Sequence, residues 1–157
     1  MATDVAITVA TGGAGKVAGK VFTKAVGWGG NAFERGRKVE QVILKKVGAK
    51  PMKSSNYPVI DSISKGIARS IKSIDTNAKT YQNTKTLKNT LKRYIDKLDK
   101  YNGKKWGGDD IDSSIIKGKA LDIGVPKGMS AEQAQVFKEM ANYAKQRNIK
   151  FKVHTLK

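Results

Sequence analysis

Residues 86–101, TLKNTLKRYIDKLDKY, narrow most what this chain can fold into. Leu87, Leu91, Tyr94, Leu98 and Tyr101 step by four, three, four and three, which predicts a helix with one apolar stripe. Lys88, Lys92, Arg93, Lys97 and Lys100 form its wet, basic side. Such a helix has to lay its dry side on another layer, and the rest of the sequence offers mostly short β-branched runs. YPVIDSI (57–63) and GIARSIKSI (66–74) are separated by Ser64-Lys65 and predict a hairpin. KALDIGVP (119–126) predicts a strand with Leu121, Ile123 and Val125 on one side. IKFKVHTLK (149–157) predicts a closing strand with Ile149, Phe151 and Val153 inward and Lys150, Lys152 and His154 outward, so His154 is expected at the surface. Between these two strands GMSAEQAQVFKEMANYAKQRN predicts a helix. Ser130 and Gln133 form its capping box, and Ala134, Phe137, Ala141 and Ala144 its buried stripe. The alternation defines an α/β domain with a mixed central sheet flanked by helices.

Charge limits the partners. Lys plus Arg number 31 against 13 acids, a formal +18. Self-repulsion of that size points to a polyanionic partner, nucleic acid first and an anionic membrane second. The chain has no cysteine, which excludes disulfides and thiolate metal sites, and one histidine, which excludes a histidine-pair nuclease. His154 offers no Ser-His-Asp triad, and GGAGKVAGK lacks the spacing of a P-loop. No apolar run is long enough to span a bilayer.

Residues 1–30 are rich in Gly, Ala and Val, and are expected to be a linker or a remnant of a larger carrier protein, with the functional domain at 31–157. Lys16, Lys20 and Lys24, four apart, also allow a membrane-touching stretch. NAFERGRKVEQVILKKV (31–47) predicts a helix capped by Asn31 and stopped by Gly48. Phe33, Gly36, Glu40, Ile43 and Val47 share one face, flanked by Val39 and Val42. Glu40 is therefore an acid on the apolar side, a costly position unless it pairs with a lysine at an edge or binds a metal. NGKKWGGDD (102–110) reads as a loop whose Trp106 either stacks a base or, the stronger expectation, covers an edge of the core.

Glu40, Asp61, Ser70 and Lys72 remain as the chemical candidates. Metal-assisted phosphodiester hydrolysis needs carboxylates that hold a divalent ion and a lysine that orients water and offsets developing charge. A hairpin with Asp61 on one strand and Lys72 on the next, under a helix bearing Glu40, brings those groups together. The competing reading of Asp61 and Lys72 is a cross-strand salt bridge, which contributes little.

Glu40, Asp61 and Lys72 in this order resemble the PD-(D/E)XK nuclease fold. The departure is Ser70, where that family usually carries Asp or Glu. Either the serine hydroxyl with a backbone carbonyl, or Asp75 from the strand end, stands in for the missing carboxylate. The chain more narrowly resembles C-terminal nuclease toxins of bacterial polymorphic and contact-dependent growth inhibition systems, some of which have a D-x(n)-S-x-K site. YIDKL (94–98), VPKG (125–128) and YAKQRNI (143–149) match their Y-I-x-x-L helix, their I-P-x-G turn (with Val125 for Ile) and their closing Y-A-x-x-x-x-I helix, across residues 31–157. The resemblance implies a metal-dependent nuclease toxin that cleaves DNA, with RNA (notably tRNA) as the alternative substrate. Glu40 and Asp61 would hold a divalent ion (Mg²⁺ or Zn²⁺), Ser70 would assist, and Lys72 would position water. Lys88, Lys92, Arg93, Lys117 and Lys119 would bind phosphates. It also implies delivery as part of a larger secreted or surface protein, action in the target-cell cytoplasm, and a cognate immunity protein. Without catalysis, the same charge describes a nucleic-acid-binding module.

Overall fold

The computed structural model describes residues 28–156. Its elements are α1 (Ala32–Val47), β1 (Ser62–Ser64), β2 (Ile67–Ser73), a short α2 (Lys79–Gln82), α3 (Thr84–Lys100), β3 (Lys104–Trp106), β4 (Asp109–Ile111), a 3₁₀ turn (Ser113–Ile115), β5 (Gly118–Val125), α4 (Ala131–Lys145) and β6 (Ile149–Thr155). The central sheet has the order β1-β2-β5-β6; β1 runs antiparallel to β2, while β2, β5 and β6 are mutually parallel. This is the expected mixed sheet flanked by helices. Among the described residues no helix is long and apolar enough to cross a membrane.

The helix ends follow the local chemistry. The Asn31 side chain accepts from the Phe33 amide at 2.8 Å, and Gly48 ends α1 at φ 67°, a left-handed conformation that costs glycine little. The Ser130–Gln133 capping box forms in both directions. The side-chain amide of Gln133 also donates to the carbonyls of Thr76 and Tyr81, tying α4 to the segment after β2. Lys65 and Gly66 turn the β1–β2 hairpin with φ 53° and 81°, both left-handed as a two-residue hairpin loop requires.

The sheet separates two cores. On one face Leu87, Leu91, Ile95 and Leu98 of α3 and Phe137, Met140, Ala141 and Ala144 of α4 pack on Ala68, Leu121, Ile123, Val125, Phe151 and Val153. On the other face, among the described residues, α1 covers Ile71 and Leu156 with Val39, Val42, Ile43 and Leu44, and Trp28 and Ala49 pack at the edge. The helix can come this close because residue 124 is glycine: a Cβ there would stand 2.6 Å from Val39 Cγ1. Just before α1, the Trp28 indole donates to the Leu156 carbonyl at 2.7 Å, and the Arg35 guanidinium donates to the Trp28 carbonyl at 3.1 Å. Residues 1–27 lie outside the described residues, so the expectations for Lys16, Lys20, Lys24 and nearly all of the 1–30 segment do too.

Several expectations are corrected. The first strand is three residues long rather than seven, because Pro58 and Val59 turn the chain. Val59 has φ 71° and the Ile60 amide donates back to the Pro58 carbonyl at 2.8 Å, a tight three-residue turn that a β-branched residue adopts with strain. The 102–110 segment contains strands β3 and β4, so it is more ordered than a loop. Ile95 takes the buried position on α3 while Tyr94 stays half-buried at its edge, and Gln133 and Val136 are buried where Ala134 is only half-buried. Phe33 is not on the buried stripe of α1; it is 72% exposed. His154 is not at the surface. At 3% exposure it lies under the C-terminal end of α1, and its Nε2 is 2.6 Å from Asp122 Oδ1. Lys150 and Lys152, on the same side of β6, remain exposed because α1 does not reach them.

Candidate active site

A cleft of about 550 Å³ opens between α1 and the loop leading to β1. Phe33, Arg37, Glu40, Gln41 and Leu44 line it from α1, spaced as one helical face, and residues 51–57, Ile60 and Asp61 line it from the loop. Glu40 thus sits at the border between the buried stripe of α1 and the cleft, which explains a carboxylate on an otherwise apolar side.

Asp61 stands at the edge of β2. Its backbone amide donates to the Arg69 carbonyl at 2.8 Å, and its carboxylate accepts from the Ile71 amide at 2.7 Å, so the side chain fills a position in the ladder that a strand carbonyl would otherwise take. The left-handed turn at Val59, two residues earlier, fixes this placement. Backbone strain of this kind is often found beside functional groups. Lys72 leaves β2 on the α3 side and holds its ammonium 5.3 Å from the centroid of the Tyr94 ring.

Electrostatics joins the three groups. Burial, then the charge of Asp61, raise the Glu40 carboxyl from 4.5 to about 7, while Lys72 and Arg37 pull the other way. Burial raises Asp61 as well, and the Ile71 amide and Lys72 oppose it. The two acids therefore border one partly desolvated cleft, with Lys72 on the α3 side in electrostatic reach of both. A plain surface salt bridge would lower the acids rather than raise them. Ser70 is buried on the same side of β2 as Lys72 and brings no charge. Asp75 does not complete the site; its carboxylate accepts from the Asn77 amide at 3.1 Å in its own turn.

Glu40 and Asp61 supply hard oxygen donors whose raised carboxyls a cation would relieve, a fit to a divalent ion such as Mg²⁺. Nothing softer stands with them: among the described residues no group of three or more His, Cys, Asp and Glu side chains gathers. A Zn²⁺ ion would meet oxygens here rather than its usual nitrogen and sulfur ligands.

The basic candidates do not form one patch. Arg93 lies 5.7 Å from the same Tyr94 ring as Lys72. Lys88 pairs with Glu139 at 3.3 Å and Lys92 with Asp96 at 3.5 Å, both on the side of α3 toward α4. Lys117 lies beside Gly66 at the hairpin turn, and Lys119 donates to the Asp99 carbonyl at 2.7 Å. In the β2–β5 register Lys119 is level with Ala68 and Lys72 with Ile123, four residues apart. That separation is about 13 Å along the sheet, away from the cleft.

Two features escaped sequence reasoning. Trp106 does not cover the core: it is 41% exposed, with its indole donating to Asn56 Oδ1 at 3.2 Å at the rim of the cleft. Asp122, fully buried on β5, accepts from Arg69 and meets His154, whose Nδ1 is 3.2 Å from Lys46 Nζ. The alternation of apolar residues in 119–126 gave no sign of this network, which shows only once Arg69 and His154 are brought to the same side.

A model of CDI toxin restriction endonuclease-like domains matches residues 35–154. The chain belongs to that family, and its fold is restriction endonuclease-like. Among solved structures it is similar to the CdiA-CT/CdiI toxin and immunity complex from Yersinia pseudotuberculosis. The match has a TM-score of 0.66 and 22% identity and covers 76% of this chain and 98% of that one, a likeness of fold. No curated protein matches the sequence.

Proposed function

We propose that this domain is a metal-dependent nuclease toxin that hydrolyses phosphodiester bonds in the DNA of target bacteria. The observation that carries the reading is that Glu40 and Asp61 line one cleft of a restriction endonuclease-like fold with Lys72 in electrostatic reach of both. Glu40 and Asp61 would hold the divalent ion, which when bound polarises the scissile phosphate and acidifies a water. Lys72 offsets the negative charge that grows on the phosphate and orients the attacking water. Ser70, buried on the same side of β2 as Lys72, would assist with its hydroxyl in place of a carboxylate. The site's basic surroundings, within a chain of net charge +18, favour a polyanionic substrate.

The family and the toxin–immunity neighbour support two further parts of the reading. The domain would act as the delivered C-terminal end of a larger protein in the cytoplasm of the target cell, and a cognate immunity protein would neutralise it. The test is cleavage of plasmid DNA and of total tRNA side by side, with Mg²⁺, Mn²⁺ or Zn²⁺ and with EDTA. The expected result is DNA cleavage that EDTA abolishes and that Lys72→Ala lowers by about a hundredfold or more. Cleavage of tRNA alone would move the substrate to RNA. Tight binding without cleavage under every ion would overturn the catalytic reading and leave a nucleic-acid-binding module.

A further inference from the structure

Helix α3 carries more basic side chains than its packing uses, and they divide into two groups. Lys88 and Lys92 are neutralised by Glu139 and Asp96. Asn89, Arg93, Lys97 and Lys100 step by four, four and three along the outward side, where a shallow groove of about 390 Å³, lined also by the Lys92–Asp96 pair, runs between residues 89 and 100. No salt bridge among the described residues uses Arg93, Lys97 or Lys100. The one acid in this groove, Asp96, is already engaged by the Tyr143 hydroxyl at 2.5 Å and by Lys92.

The stripe is continuous with the candidate site. Arg93 and Lys72 both lie within 6 Å of the Tyr94 ring, at 5.7 and 5.3 Å. From Arg93 to Lys100 the helix advances about 10 Å, room for about three phosphates of one strand. We infer that Arg93, Lys97 and Lys100, with Asn89 at the near end, form a phosphate-binding track that carries the nucleic-acid backbone away from the cleft. This rests on the nuclease reading for its direction, but binding tests it apart from cleavage. The track excludes Lys88 and Lys92, which share the helix yet are occupied.

The decisive experiment measures binding of a labelled 20-base-pair DNA duplex to the intact domain in EDTA, so that no strand is cut, over a range of salt concentrations. Each phosphate that the protein no longer neutralises lowers the slope of log affinity against log salt by about 0.9. Arg93→Ala/Lys97→Ala/Lys100→Ala is expected to lower it by about 2 to 3. Lys88→Ala/Lys92→Ala should leave it nearly unchanged, and Lys97→Arg/Lys100→Arg should keep it. Circular-dichroism melting checks that each variant is folded, and the single variants Lys97→Gln and Lys100→Gln, each expected to lower the slope by about 1, serve if the triple variant is not. An equal fall in the two alanine sets would overturn the track, as would no fall in the first. Loss of binding to poly-L-glutamate without loss of DNA binding would also overturn it, assigning the stripe to an acidic protein. A domain that binds no nucleic acid at all overturns the nuclease reading with it, whereas an unchanged slope with cleavage intact overturns the track alone.

Discussion

The two faces of the sheet are held by different physics. On the α3/α4 face, two helices bury a continuous apolar layer against β2, β5 and β6. On the α1 face, among the described residues, one helix buries a small cluster, and the space beside it is filled by Arg69, Asp122 and His154. The first face is a packed core of the ordinary kind. The second combines a thin apolar patch with buried charge, and its helix carries Glu40 to the cleft. The difference teaches that α1 is held down partly by polar pairing, which has strict partner requirements, and that the candidate site borders the less redundant face.

The comparison is sharpest where single side chains are removed. Asp122→Ala would leave Arg69 and His154 without their shared carboxylate, at an expected cost of about 3–5 kcal/mol. Urea unfolding measures it, and a cost under about 1 kcal/mol would mean that the network does not hold the face. On the other side, Leu91→Ala should cost about 2–5 kcal/mol by opening a cavity. Urea unfolding measures this cost too, and a cost under about 1 kcal/mol would mean that this face absorbs the cavity.

Two acids of the α1 face respond to pH with opposite sign. Pairing with His154 and Arg69 outweighs burial and holds Asp122 below its ordinary 3.8. Its stabilisation is therefore complete above that value and is lost as pH falls through its lower value in the fold. Glu40 is raised to about 7, so metal-free stability should decline as pH rises from about 4.5 to about 7 and level off above. Glu40→Gln should remove that decline and stabilise the metal-free domain at pH 8 by about 1 kcal/mol, after allowance for the half-exposed carboxyl. Thermal melting of both forms across pH checks this, and a wild-type curve that rises steadily to pH 8 would contradict it. The smallest effect is expected at the rim: Trp106→Ala should change stability by no more than about 0.5 kcal/mol, since the side chain is exposed and packs on a loop. A larger loss on unfolding would show that Trp106 covers core after all.

The α3/α4 face was legible in the sequence because its signals are repetitive. The leucines of α3, the capping box at Ser130 and the alternation at 121–125 and 149–153 each state a period, and the structure follows them. The candidate site was partly legible, since the sequence singles out Glu40 and Asp61, which line one cleft, and Lys72, which lies in electrostatic reach of both. What stayed hidden depends on single long-range events. His154 reads as one more polar residue on a lysine face, and only the end of α1 distinguishes it from Lys152. Phe33 reads as part of an apolar stripe, but the helix is rolled so that Val39 and Ile43 face the sheet and Phe33 faces the cleft. The turn at Val59 overrides a β-branched run because Pro58 and the placement of Asp61 dominate locally.

The hydrogen bond from the Trp28 indole to the Leu156 carbonyl brings the two ends of the described region side by side. Anything that separates residue 28 from residue 156 strains this contact and, through Arg35, the start of α1. Because α1 also carries Glu40 to the cleft, the joining of residues 28 and 156 couples the ends of the described region to the geometry of the candidate site.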